Sequence, residues 1–114
     1  MYCYRKIASM APSPKESEQI LEIRQDEIRH FQNFSQIYSN LTGNEPQPQV
    51  IEECPNNYKN GLEFAFLDEQ KTVDFYLGMA DYIADISIKN AFKRAAADEQ
   101  NHAVWFLYYL VKQK

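Results

Sequence analysis

Ser13-Pro14-Lys15-Glu16 opens the longest regular pattern in the chain. Serine sits where a helix cap accepts a backbone N–H, proline follows at the first helical position where its missing N–H leaves nothing unpaired, and Glu16 can reach back to the cap's own N–H. From this start Ile20, Ile23, Ile28, Phe31, Phe34, Ile37, Tyr38 and Leu41 recur at three- and four-residue spacing until Thr42-Gly43-Asn44 supplies a stop. The pattern predicts a helix of about 28 residues, ~42 Å long at the standard rise. A rod of that length must find other helices of similar length to cover its apolar stripe.

The rest of the chain offers them. With 114 residues there is material for one domain, and only 3 Gly and 5 Pro leave too few turn signals for an all-β fold. Leu62, Phe66, Val73, Tyr76 and Ala80 predict a helix from Lys59 to Tyr82, and Phe92, Ala95, Ala96, Phe106 and Leu110 another from Ile86 to Lys112. Only about three residues around Asp85 separate them, so they form an antiparallel pair. Residues 43–58 contain Pro46, Pro48 and Pro55, follow neither period, and read as a long crossover. Tyr2 to Met10 reads as a short first helix, with Tyr4, Ile7 and Ala8 facing the second. The fold class is therefore all-α, a four-helix bundle of two antiparallel hairpins (residues 1–42 and 59–114) in one domain spanning 1–114.

Charge and cysteine content narrow the function. A net charge of -4 gives no electrostatic footprint for nucleic acid, and no apolar run approaches the ~20 residues of a membrane span. Cys3 and Cys54 lie far apart with no C-x-x-C spacing, which predicts free thiols in a cytoplasmic protein.

On a helical wheel the second helix's inward stripe runs through positions 20, 23, 27, 30/31, 34, 37/38 and 41, and so contains Glu27 and His30. The fourth helix repeats this with Glu99 and His102, and the third has one inward carboxylate, Glu69. Unpaired carboxylates in a helical interior cost on the order of several kcal/mol each. A divalent metal removes that cost, because residues three apart lie on neighbouring turns of one face and can converge on one ion. Oxygen and imidazole donors without thiolate suit iron or manganese and leave zinc open. An internal repeat strengthens the pattern. Glu27 and Glu99 are 72 residues apart, as are His30 and His102, Asp26 and Asp98, Phe34 and Phe106, Tyr4 and Tyr76, and Ala8 and Ala80.

Asp26-Glu27-Ile28-Arg29-His30, Glu69 followed by Tyr76, and Asp98-Glu99-Gln100-Asn101-His102 resemble the motifs of the ferritin-like di-iron carboxylate superfamily, most closely its rubrerythrin-like branch. That family takes one Glu from each of two helices and Glu-x-x-His from each of the other two. The resemblance implies a ferritin-like four-helix bundle in which Glu27, His30, Glu69, Glu99 and His102 are metal ligands. It further implies that Asp26 and Asp98 accept from the imidazoles of His102 and His30 respectively, and that Tyr76 donates to a ligating carboxylate. The cofactor implied is iron, two ions, with manganese or zinc as alternatives.

The implied activity is reaction with oxygen or peroxide, of ferroxidase or peroxidase type, or the handling of iron. The chain departs from the family in two respects. The repeat places the first-hairpin counterpart of Glu69 three residues or so before Met1, so the second metal position depends on a residue upstream, a neighbouring chain or a water. There is no C-terminal Cys-x-x-Cys pair, so an enzyme would need an external electron donor. The competing reading is a degenerate bundle with one metal or none, serving as a structural or oligomerisation module.

Phe31, Phe34, Phe66, Phe75, Phe92, Trp105 and Phe106 are expected in the core, and Lys89, Lys93 and Arg94 on a solvated face. The short first helix leaves apolar surface uncovered, which predicts a homodimer or larger homo-oligomer.

Overall fold

The structure is a computed structural model that describes residues 2–46 and 53–113. Its elements are α1 (Tyr4–Ser9), α2 (Pro14–Thr42), α3 (Tyr58–Tyr82) and α4 (Ile86–Lys112), and no strand occurs among the described residues. They fall into two compact units, Met1–Cys54 and Pro55–Lys114. Among the described residues no helix is long and apolar enough to cross a membrane.

In the first unit α1 packs on α2. Tyr4, Ile7 and Ala8 of α1 are buried, as are Ile20 and Ile23 of α2. The start of α2 follows the sequence signal. Ser13 Oγ accepts from the Glu16 N–H at 3.3 Å, and the Ser13 hydroxyl lies 3.1 Å from Glu16 Oε2, to which it donates. Replacing Ser13 with alanine removes the acceptor and should lower stability by about 1 kcal/mol, readable as a urea midpoint shift with an unchanged m-value. At the other end Gly43 takes φ +75° and donates its N–H to Ser39 O at 2.8 Å, a left-handed cap that a side chain would strain.

Two expectations are corrected here. Cys3 and Cys54 are joined in a disulfide, with Cα atoms 5.4 Å apart. The expectation of free thiols rested on their separation in sequence, whereas the end of the crossover returns to the start of α1, where Lys6 Nζ also donates to Cys54 O at 3.4 Å. The buried stripe of α2, expected to reach position 41, ends at His30. None of residues 31–42 is buried, and Phe31, Tyr38 and Leu41 are exposed. Six residues of α1 span only ~9 Å against ~43 Å for α2, so α1 covers only one end of its neighbour.

In the second unit α3 and α4 form a hairpin through Ile83–Asp85, three residues long. Asp85 Oδ1 caps α4 by accepting from the Ile88 N–H at 3.1 Å, and Asn57 Oδ1 caps α3 by accepting from Asn60 N–H at 2.9 Å. The buried residues of α4 (Phe92, Ala95, Ala96, Glu99, His102, Ala103, Phe106 and Tyr109) follow the predicted stripe. On α3, Leu62, Ala65, Glu69 and Ala80 are buried, while Phe66, Val73 and Tyr76 are half-buried. Ala65 and Ala80 of α3 and Ala95 and Ala96 of α4 are buried in this hairpin. Phe75 is exposed rather than in the core, because it lies a hundred degrees round the helix from its neighbour Tyr76.

Candidate metal centre

Glu69, Glu99 and His102 meet in the interior of the second unit. Glu69 is 1% exposed, Glu99 0% and His102 3%. Position 69 lies on the α3 stripe that faces α4, and positions 99 and 102 lie one turn apart on the α4 stripe that faces α3, so the hairpin itself brings the three together. His102 Nδ1 lies 3.6 Å from Glu69 Oε2 and 3.9 Å from Glu99 Oε2.

These separations are compatible with a shared ion. Both are longer than a hydrogen bond and within ion-pair range. They are shorter than the ~4.4 Å that two donors can span when each binds one ion at ~2.2 Å. All three side chains place a donor atom within 4.8 Å of the other two. Two carboxylates and an imidazole are hard and borderline donors, matched to a divalent first-row ion and not to a thiolate-seeking one. The residues present therefore fit a metal.

Apolar and aromatic groups wall the cluster. Leu62, Ala65, Ala95, Ala103 and Phe106 are buried on the same helices. Tyr76 is half-buried, its ring 5.8 Å from those of Phe75 and Phe92. Lower on α4, Trp105 lies against Tyr109 at 5.8 Å between ring centroids and against Tyr108 at 6.3 Å. The burial of Glu69, Glu99 and His102 keeps water from them and strengthens electrostatic interactions among them.

In the first unit Glu27 is half-buried on α2, and His30, one turn further, is buried with 6% exposure. The Glu-x-x-His spacing thus places both residues on a single helical face here as it does on α4. Asp26 and Asp98 are each half-buried and each form an ion pair along their own helix. Asp26 Oδ1 lies 2.5 Å from Arg29 Nη2, and Asp98 Oδ1 lies 3.3 Å from Arg94 Nε. Sequence reasoning assigned Arg94 to a solvated face and gave Arg29 no role. The pairs were legible as i,i+3 and i,i+4 opposite charges, the spacing at which helix side chains meet.

Comparison with known proteins places this arrangement in a class. The sequence matches the ferritin-like domain family over residues 3–112, and the chain belongs to that family. The helix order and the short first helix are those of a ferritin-like four-helix bundle as adapted in this chain. Among curated proteins it is 54% identical over 111 residues to the uncharacterized protein YhjR of Bacillus subtilis (strain 168), an alignment that covers 97% of this chain and 77% of that protein. No solved structure matches the chain.

Proposed function

We propose that the chain is a non-haem metal protein of the di-iron carboxylate type, with Glu27, His30, Glu69, Glu99 and His102 as ligands. The observation that carries this reading is the buried convergence of Glu69, Glu99 and His102 at separations too long for hydrogen bonds and right for a shared ion. Glu27 and His30 enter by the 72-residue repeat, which gives α2 the same motif as α4. Iron is the metal the family resemblance implies, and an oxygen and imidazole donor set without sulfur also admits manganese or zinc.

When bound, a pair of ferrous ions supplies two electrons to oxygen or peroxide, the chemistry that protein side chains lack. The chain's own residues supply the rest. The carboxylates of Glu69 and Glu99 would hold the ions in a low-dielectric interior, and the imidazoles of His30 and His102 would add nitrogen donors. Asp26 and Asp98 accept from the other ring nitrogen, which fixes tautomer and ring orientation. Tyr76 donates its hydroxyl to a ligating carboxylate and so limits its rotation. The wall of Leu62, Phe92 and Phe106 keeps bulk water from the ions. In this reading the reductant that restores the ferrous state arrives from outside. A rubrerythrin-like peroxide chemistry and a ferroxidase chemistry use the same ligands.

The test is metal content per chain by mass spectrometry after anaerobic Fe(II) loading and removal of loosely held ion. The expected result is about two irons per chain, followed by a new near-ultraviolet absorbance on admission of oxygen. One ion or fewer, with no absorbance change, would overturn the di-iron reading and favour a structural module.

A further inference from the structure

The metal centre leaves the Cys3–Cys54 pair unused, and its two halves sit in unlike surroundings. Cys3 is 3% exposed and stands directly before α1, whereas Cys54 is half-buried in a stretch, 53–55, that belongs to no helix or strand. A reagent from solution therefore reaches the bond from the Cys54 side. A cation waits there, because Lys6 Nζ donates to Cys54 O at 3.4 Å. Positive charge beside a cysteine favours its thiolate, the form that attacks a peroxide or a disulfide. Accessible disulfides next to such groups are the exchangeable kind, in contrast to those sealed inside a core.

What the bond holds is small and local. α1 has six residues, of which Tyr4, Ile7 and Ala8 are buried, and it packs on α2, where Ile20 and Ile23 are 0% and 1% exposed. A helix of that length does not persist by itself, so its place depends on those three side chains and on the link at its start. Segments held by few buried contacts open at low cost while the rest of the molecule stays folded. The α3–α4 hairpin is a separate compact unit with its own caps and buried stripe, and it contains neither cysteine. Breaking the bond therefore removes a restraint from α1 and none from the hairpin.

We propose that Cys3 and Cys54 form a redox latch: the disulfide docks α1 on α2, and its reduction lets α1 open and uncovers Ile20 and Ile23. Closure uses a peroxide. The Cys54 thiolate attacks one peroxide oxygen, an S–O bond forms as the O–O bond breaks, and the departing hydroxide takes a proton to leave as water. The Cys3 thiolate then attacks the resulting sulfenic acid at Cys54, forms the S–S bond and expels a second water. Opening uses a dithiol. One thiolate of the dithiol attacks Cys54 Sγ and releases Cys3 as a thiolate, which takes up a proton. The second thiolate of the dithiol resolves the mixed disulfide, so two electrons pass to the protein and the dithiol leaves oxidised. Ile23 stands one turn before Glu27 on the same stripe, so opening brings solvent to within one turn of the Glu27–His30 motif.

The test uses the full chain without metal, equilibrated in glutathione buffers that run from wholly reduced to wholly oxidised. Free thiols are blocked by alkylation and counted by mass spectrometry, and the pair is expected to pass from dithiol to disulfide within that range. Hydrogen peroxide added to the reduced chain should close it as well. Hydrogen exchange reads the structural consequence. Protection of residues 4–9 should fall at least about tenfold on reduction, while α3 and α4 keep theirs. Trypsin should cut after Arg5 and Lys6 in the reduced form and spare both sites in the oxidised one. Cys54→Ser should show the open pattern in every buffer, and the reduced wild-type chain gives the same reading if that variant folds poorly. A pair that stays oxidised in reduced glutathione, or that peroxide leaves open, overturns the proposal. So does exchange over residues 4–9 that is equal in the two forms, or a loss of protection that reaches α3 and α4 alike.

Discussion

Replacing Glu99 with leucine should abolish tight metal binding while leaving the metal-free protein at least as stable as the wild type. Glu99 is fully buried, and Glu69 and Glu99 both face the one imidazole of His102 at 3.9 Å or less. Without an ion, two carboxylates and one imidazole share an apolar interior, an arrangement whose desolvation exceeds what its own attractions return. Leucine is larger than glutamate by about one methylene group and removes one carboxylate from beside His102. Replacing buried charged groups with apolar ones of similar size is commonly neutral or stabilising by about 1–4 kcal/mol. Loss of a residue that merely orients a ligand already weakens metal binding about 10–100-fold, so loss of a ligand should exceed that range. The measurements are thermal melting of the metal-free variant and competition for Fe(II) or Mn(II) against a chelator. A variant that retained affinity would remove Glu99 from the ligand set. One that melted well below wild type in the metal-free state would mean the cluster is there for stability.

Removing the Cys3–Cys54 disulfide should cause a large loss of stability. The bond closes a segment with a sequence separation of 51 residues, and on the chain-entropy account a loop of that length restrains the unfolded state by about 4 kcal/mol. For a domain of this size that corresponds to a fall in Tm of about 15 °C. The physical context adds to it, because α1 has only six residues and cannot hold its helix alone. The disulfide, buried Tyr4 and Ile7, and the Lys6 contact to the Cys54 carbonyl are what anchor it. Cys3→Ala with Cys54→Ala, and separately the reduced wild-type chain, should show the same drop in differential scanning calorimetry. Oxidised and reduced forms that melt within about 3 °C of each other would show that the link does not restrain the unfolded chain.

Much of the architecture could be read from local sequence because helices are local objects. The helix start capped by Ser13, the stop at Gly43 and the tight turn around Asp85 each act within a few residues, and each is found where the sequence placed it. The α4 stripe was legible for the same reason. Its apolar positions recur at helical spacing without interruption, so burial of Glu99 and His102 follows from the period alone. Burial of Glu69 was legible because all of its neighbours on the α3 stripe are apolar or aromatic. The period also overreached on α2, where it marked Phe31, Tyr38 and Leu41 as inward although nothing of α1 extends far enough to cover them. A hydrophobic period states which face would be buried if something packed on it, and not whether something does.

The sequence by itself determined the number and limits of the helices, the pairing of α3 with α4 through a three-residue turn, and the placing of a carboxylate and an imidazole on single helical faces. Those properties depend on residues a few positions apart, whose geometry the 3.6-residue turn fixes. Only the tertiary structure decided that Cys3 meets Cys54, that the buried part of α2 ends at His30, and that Glu69 comes within 3.6 Å of His102. Each of these joins residues between 20 and 60 positions apart or depends on how far one element reaches along another. No local period encodes such distances, because they are set by chain reversal and by the area each helix has to cover.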